Sequence, residues 1–352
     1  LLKYDTGILS AATAFGKTVV GIHLIARRKT NTLILVHRRQ LLDQWRARLT
    51  TFLDLKPSDI GQVGGGQWKP TGHIDVAMIQ SLRKRGVVND IVGNYGHLII
   101  DECHHISARS FEIVTRQSPA KFVLGLSATV TRKDGHHPII LMNIGPIRYS
   151  VSPRSQAKKR PFSHRVIFKT TAFTLPEDND GNPLPIQAIY SSLSTDPSRN
   201  QLIINDVVDA VKKGRSPVVL TERRNHLETL QALLLPVVQN VLVFQGGMGK
   251  KQRRVIEEKM KAIAEGQERV ILATGRYLGE GFDDARLDTL FLTLPVSWKG
   301  VLIQYAGRLH RLHDRKKEVL IYDYVDRDIP MLERMYKKRR AGYHTMGYDC
   351  DL

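Results

Sequence analysis

The amino-acid sequence predicts an α/β protein of two tandem domains, each a parallel sheet with crossover helices. Three observations carry this prediction. Short apolar runs alternate with longer segments of helical period as far as Tyr149. The composition then changes: residues 151–165 hold Pro153, Pro161 and a cluster of Lys and Arg, and residues 175–185 are rich in Pro, Asp, Asn and Gly. Beyond them the same alternation resumes. A chain of 352 residues exceeds one ordinary core and suits two, at roughly 150 residues per domain. The expected domains are residues 1–155 and 156–352, with a linker and flexible loop near 151–187.

In the first domain the strands fall at Gly7 to Ser10, Leu33 to His37, Ile74 to Met78, Leu98 to Asp101 and Phe122 to Leu126, where apolar runs are short and bounded by turn residues. Helices at Lys17 to Arg27 and Arg39 to Phe52 lie between them. The glycine-rich stretch Gly61 to Gly66 precedes a strand rather than a helix, so it reads as a flexible turn and not as a phosphate cradle. In the second domain strands are expected at Pro217 to Thr221, Val241 to Gln245, Arg269 to Ala273, Thr289 to Thr293 and Glu318 to Tyr322. No fixed-period repeat is visible, which argues against a solenoid.

Lys and Arg number 53 against 34 Asp and Glu, a formal charge of +19, which is the footprint of a phosphate-dense partner. A merely basic surface is the plainer alternative, and motifs decide between the two. The two cysteines, Cys103 and Cys350, cannot build a disulfide framework and favour a reducing compartment, expected to be the cytoplasm, or the nucleoid of a bacterium. No membrane span or secretory leader is expected. The chain opens at Leu1 without a methionine, and further domains of a longer parent chain are expected.

A phosphate-binding loop needs inward backbone N–H groups at a helix N-terminus, a lysine for the β and γ phosphates, and a hydroxyl for Mg²⁺. Ala14, Phe15, Gly16, Lys17 and Thr18 supply these after the first strand, although Ala11 stands where such loops usually have their first glycine. The apolar run His97-Leu98-Ile99-Ile100 leads into Asp101 and Glu102, two acids at a strand end, where open α/β sheets place ligands. Asp101, with Thr18, would hold Mg²⁺, and Glu102 would orient and deprotonate the attacking water. Helix capping is the structural alternative for these acids. Cys103, His104, His105, His136 and His137 lack the paired spacing of a zinc site. Far along the chain, Gln304, Gly307, Arg308 and Arg311 form QxxGRxxR on an expected helix. Spacings of three and four put Gln304, Arg308 and Arg311 on one face, so that two guanidiniums can meet one triphosphate. A solvated basic helix is the alternative.

Together these strings resemble the superfamily 2 helicases and translocases over essentially the whole chain. Motif I lies at Ala11 to Thr18, motif Ia at Val36 to Gln40, a nucleic-acid contact motif at Ile79 to Leu82, motif II at DECH, motif III at Ser127-Ala128-Thr129 and motif VI at QYAGRLHR. Motif V resembles Ala273-Thr274 followed by Glu280-Gly281-Phe282-Asp283, one residue longer than the common form. HRRQLLDQW, DECHH and ATxTRKDG resemble most the DNA-acting type III restriction and TFIIH-translocase group, and also bacterial primase–helicase conflict proteins.

The resemblance implies two RecA-like domains with the ATP site in the cleft between them, nucleic-acid-stimulated hydrolysis of ATP with Mg²⁺, and movement along one strand. It places Gly281 and Asp283 at the nucleotide and makes Gln304, Arg308 and Arg311 catalytic. Arg38, Arg39, Gln80, Ser81 and Thr274 would touch the nucleic-acid backbone, which positions a strand without reading its sequence. Trp298 and Lys299 would stack on or steer a base, with core packing the alternative for the tryptophan. DNA is the expected partner over RNA. The rival readings are an RNA-directed ATPase of the same superfamily and a catalytically idle nucleic-acid-binding scaffold.

Overall fold

The computed structural model describes the chain except residues 13–14, 85–86, 106–107, 129–136, 176–183, 276, 278–283, 297–298 and 351–352, and describes 84, 105, 108–111, 137, 250 and 299 by backbone alone. It divides into two compact units, Leu1–Ser152 and Pro153–Leu352.

In unit 1 the elements are β1 (Thr6–Ala11), α1 (Lys17–Arg28), β2 (Thr32–Val36), α2 (Arg39–Leu53), β3 (Ile60–Gly64), β4 (Gln67–Lys69), β5 (Ile74–Met78), the two-stranded ribbon β6 (Arg83–Lys84) and β7 (Val87–Val88), β8 (His97–Ile100), α3 (Ala108–Arg116), β9 (Phe122–Ser127), α4 (His137–Ile144) and β10 (Ile147–Val151). The main sheet has the order β10-β1-β9-β8-β2-β5-β3-β4, parallel except for the β3–β4 hairpin. Leu33, Ile34, Leu35, Ile99 and Ile100 are fully buried because both sheet faces are covered, so central strands are apolar throughout rather than alternating.

Part of the glycine-rich stretch is strand rather than turn: β3 is buried between β5 and β4. Its glycine makes room. A Cβ on Gly61 would fall 1.9 Å from the Asp75 carboxylate, which accepts hydrogen bonds from the Thr71 and Gly72 amides. Gly65 and Gly66, both at positive φ, then turn the hairpin.

Unit 2 contains α5 (Pro153–Lys158), β11 (Ser163–Thr170), α6 (Ile186–Thr195), α7 (Pro197–Lys212), β12 (Pro217–Thr221), α8 (Arg224–Leu234), β13 (Val241–Phe244), α9 (Lys250–Ala262), β14 (Val270–Thr274), β15 (Thr289–Leu292), α10 (Lys299–Leu309), β16 (Glu318–Val325) and α11 (Pro330–Met346). Its sheet runs β11-β16-β15-β12-β14-β13, all parallel. The stretch expected as linker and loop near 151–187 therefore contains a helix and an eight-residue edge strand, β11. Lys and Arg disguise β11 in the sequence because its side chains are only partly covered. In α7, Asp196 caps the first turn through the Arg199 amide at 2.6 Å, and Pro197 opens the helix.

Several histidines are buried within these cores. Burial lowers the pKa of His97 to about 3, of His226 to about 3 and of His164 to about 4, and takes His310 well down as well. Each is neutral in the fold and takes up a proton on unfolding once the pH drops below 6.5. Stability is therefore full above that pH and declines as pH falls towards the folded values, by about 1.4 kcal/mol per pH unit for each such group. Three of the four lie in unit 2, so thermal melts are expected to show unit 2 losing stability first between pH 6.5 and pH 4.5. A melting temperature flat over that window would contradict it.

Candidate nucleotide and nucleic-acid sites

The order of strands in unit 1 gathers the predicted residues at one rim, the C-terminal ends of the strands. Along that rim the segment after β1 carries Lys17, the ends of β9 and β8 carry Ser127 and Asp101-Glu102, and the segments after β2 and β5 carry Arg38-Arg39 and Gln80-Ser81. The residues predicted for phosphate chemistry occupy one half and the candidate strand contacts the other.

Gly16 precedes α1 at φ +93, a left-handed conformation that glycine adopts without strain, and as the N-cap residue it offers the helix amides no side-chain acceptor. Lys17 is buried; its Nζ donates to the Ala11 carbonyl at 2.9 Å and lies 3.5 Å from Glu102 Oε1. The phosphate loop and the acidic pair thus meet through one ammonium. Glu102 stands at φ +45, unusual for a residue with a side chain and costing of order 1 kcal/mol. From there its second oxygen lies 3.4 Å from His104 Nδ1 and accepts the Ala128 amide at 3.4 Å. Ser127 Oγ and His104 Nδ1 share a 2.8 Å hydrogen bond, so DECH and the start of SAT form one buried network.

Asp101 is buried, with Oδ2 accepting the Trp45 indole N–H at 2.8 Å and Oδ1 the Glu102 amide at 2.9 Å. Burial, then the neighbouring Glu102 carboxylate, raise its pKa, against the Trp45 hydrogen bond and the Lys17 charge. A bound cation would relieve that burden. With the Thr18 hydroxyl on the adjoining helix, the hard oxygen donors fit Mg²⁺. Trp45 was not among the predicted residues. Its signal is the spacing Leu42, Trp45, Leu49, the buried face of α2. Gly21 of α1 lets that indole approach, since a Cβ there would fall 2.8 Å from the ring.

The candidate strand contacts of unit 1 also come together. Gln80 donates to the His37 carbonyl at 2.9 Å, joining the ends of β2 and β5. Arg39 hydrogen-bonds the Gly65 carbonyl and pairs with Asp43 at 3.1 Å. Arg38 flanks α2 in extended conformation, and Ser81 lies in a 3₁₀ turn, Ile79–Leu82, against Gly64.

In unit 2, Thr274 ends β14 and accepts the Gly246 amide at 3.2 Å. On α10, Gln304 and Arg308 lie on the partly exposed face, while Leu302, Tyr305, Ala306 and Leu309 are buried. The expectation that Arg311 shares this helix is corrected: α10 ends at Leu309, and Arg311 lies two residues beyond it. The cause is Lys316, whose buried Nζ donates to the carbonyls of Leu309 and Arg311, each at 2.8 Å, and so closes the helix end. Burial lowers the Lys316 pKa to about 8. Ala14, Thr129, Gly281, Asp283 and Trp298 lie outside the described residues, as do the side chains of His105, His137 and Lys299.

Comparison with known proteins follows the same division. Residues 3–132 match the family described as "Type III restriction enzyme, res subunit", and residues 200–313 match the "Helicase conserved C-terminal domain". The chain has the core of a superfamily 2 helicase. It is 27% identical over 345 residues to a provisionally named ATP-dependent RNA helicase of Acanthamoeba polyphaga mimivirus, covering 97% of this chain and 64% of that protein. The DNA 3'-5' translocase XPB2 of Sulfurisphaera tokodaii is 34% identical over 158 residues, which is 45% of this chain and 35% of the translocase. The helicase core thus spans less than two thirds of the length of either relative. Among solved structures, S. cerevisiae Dbp5 bound to RNA and ADP BeF3 matches with a TM-score of 0.65 and 12% identity over 97% of this chain and 83% of its own, a likeness of fold. The two parallel-sheet units are tandem RecA-like domains. Among the described residues no helix is long and apolar enough to cross a membrane.

Proposed function

We propose that this helicase core hydrolyses ATP when nucleic acid is bound and uses the cycle to move along a strand, with DNA preferred to RNA. The observation that carries the reading is the convergence of Lys17, Asp101 and Glu102, tied through His104 to Ser127, on the rim that also holds Arg38, Arg39, Gln80 and Ser81.

In this reading the α1 amides and Lys17 receive the triphosphate, and Lys17 exchanges the Ala11 carbonyl for phosphate oxygen. Thr18 and Asp101 would hold Mg²⁺, which would screen the phosphate charge. Glu102 is the base that orients water and takes its proton, and from its left-handed backbone its carboxylate stands beside Lys17. Arg308 and Arg311 neutralise charge growing on the transferring phosphoryl group. Gly281 and Asp283 complete the nucleotide contacts. Arg38, Arg39, Gln80, Ser81 and Thr274 grip the strand backbone.

The preference for DNA rests on the type III restriction match and the likeness to an archaeal DNA translocase. A second reading, an RNA-directed ATPase, is favoured by the mimivirus relative, whose name specifies RNA and which matches 97% of this chain. ATPase stimulation by single-stranded DNA, duplex DNA and RNA of equal length separates the two. Greater stimulation by RNA would overturn the preference.

The charge of +19 yields a further expected result: DNA binding is nearly independent of sequence and weakens steeply with salt, because counterion release supplies the affinity. A titration by fluorescence anisotropy from 50 to 200 mM salt, with a loss of about 10³-fold or more for six or more phosphate contacts, checks it. Affinity unchanged across that range would contradict it.

A further inference from the structure

Three chain segments of unit 2 meet at a point that the proposed chemistry does not use. Tyr305, buried on the inner face of α10, donates its hydroxyl to Glu222 Oε1 at 2.7 Å. Glu222 directly follows β12, at the rim; it remains solvent-accessible as a residue while its carboxylate turns towards the tyrosine. Gly275, the residue after Thr274, lies against both partners. A Cβ there would fall 2.0 Å from Glu222 Oε1 and 2.2 Å from the Tyr305 hydroxyl. The close approach thus requires a residue without a side chain.

We propose that Glu222 and Tyr305 are positioning residues that couple the strand contact at Thr274 to the arginines presented by α10. The topology makes the connection short. β14 and β15 flank β12 in the sheet, so the end of β14 with Thr274-Gly275, the end of β12 with Glu222, and the helix that follows β15 are neighbours. A change of backbone position at Thr274 on gripping a strand is felt by Gly275, which has no free space towards the Glu222–Tyr305 pair. Arg308 stands one helical turn beyond Tyr305, so a shift of the tyrosine moves the guanidinium with it. Burial, then the Glu222 carboxylate beside it, raise the pKa of the Tyr305 hydroxyl. The proposed function assigns the pair to neither phosphate nor strand. Its expected effect is on the increment of ATPase rate that nucleic acid produces.

This inference rests on the proposed nucleic-acid-stimulated ATPase. The experiment measures turnover with and without saturating single-stranded DNA, the Michaelis constant for ATP, and DNA affinity. It uses wild type, Tyr305→Phe, Glu222→Ala, Glu222→Gln and the Tyr305→Phe/Glu222→Ala double variant. Tyr305→Phe keeps the ring that packs in the core, so its melting temperature reports whether the fold is retained. The expected result is a DNA-stimulated rate lowered about tenfold in Tyr305→Phe and Glu222→Ala, with the unstimulated rate, the Michaelis constant and DNA affinity each within about twofold of wild type. Glu222→Gln, which keeps an acceptor for the hydroxyl, should recover most of the stimulation, and the double variant should be no worse than either single. Unaltered stimulation in Tyr305→Phe with a stimulated wild type would overturn the coupling alone. Equal falls in stimulated and unstimulated rates, or additive losses in the double variant, would also overturn it, since a purely structural role behaves that way. A wild type without stimulation would overturn the proposed function and this inference with it.

Discussion

Glu102→Gln is expected to bind ATP with near-native affinity and to hydrolyse it about 10²- to 10⁴-fold more slowly, the range for a lost general base. The amide has the size of the carboxylate and keeps one oxygen to accept from the Ala128 amide, so the fold at the rim survives while the approach to Lys17 is lost. The proton acceptor is lost with it. Lys17→Ala fails differently. It removes the ammonium that joins the phosphate loop to the acidic pair, so ATP binding weakens together with turnover. Equilibrium binding of a fluorescent ATP analogue alongside single-turnover hydrolysis separates the two variants. Ordinary turnover in Glu102→Gln would refute its assignment as the base.

Arg308→Ala and Arg311→Ala are each expected to leave folding and DNA binding nearly intact while cutting DNA-stimulated hydrolysis severely, on the scale of about 10³- to 10⁵-fold that arginine fingers contribute in related hydrolases. The fold supports the first half of this expectation. Arg308 lies on the partly exposed face of α10, opposite the core-packed Leu302, Ala306 and Leu309, so truncation removes little buried surface. Arg311 lies past the helix end, in a turn that Lys316 holds through the Arg311 backbone carbonyl. Lysine at either position should rescue poorly, because an ammonium cannot reproduce the planar fork of a guanidinium. Stimulated ATPase rates near wild type in both alanine variants would reduce QYAGRLHR to a basic helix.

What the sequence made legible follows from where the physical signal is local. The central strands β1, β2, β5, β8 and β9 announce themselves because burial on both faces demands continuous apolar runs. The GKT tripeptide and DECH can be placed at strand ends because the alternation of strands and helices fixes those ends. Edge strands are quieter: β10, exposed at its first four residues, and the partly covered β11 carry too few buried positions to stand out. In β3 the glycines needed for close packing, Gly61 on Asp75 and Gly64 on Ser81 and Met78, imitate a loop. Trp45, Glu222 and Lys316 act through partners 56, 83 and 5 to 7 residues away, and their roles emerge only with tertiary structure. For the same reason the period of QxxGRxxR extends the helix too far. Lys316 ends it where sequence spacing alone would carry it on to Arg311.

Steady-state ATPase activity of the chain in Mg²⁺, titrated with single-stranded DNA, most directly tests the claim that these motifs form a working nucleic-acid-dependent motor. Wild type and Glu102→Gln should be measured side by side. The account predicts a wild-type rate that rises saturably with DNA and a Glu102→Gln rate that stays near background at every DNA concentration. A wild-type rate indifferent to DNA and to RNA, or equal rates in the two proteins, would contradict it.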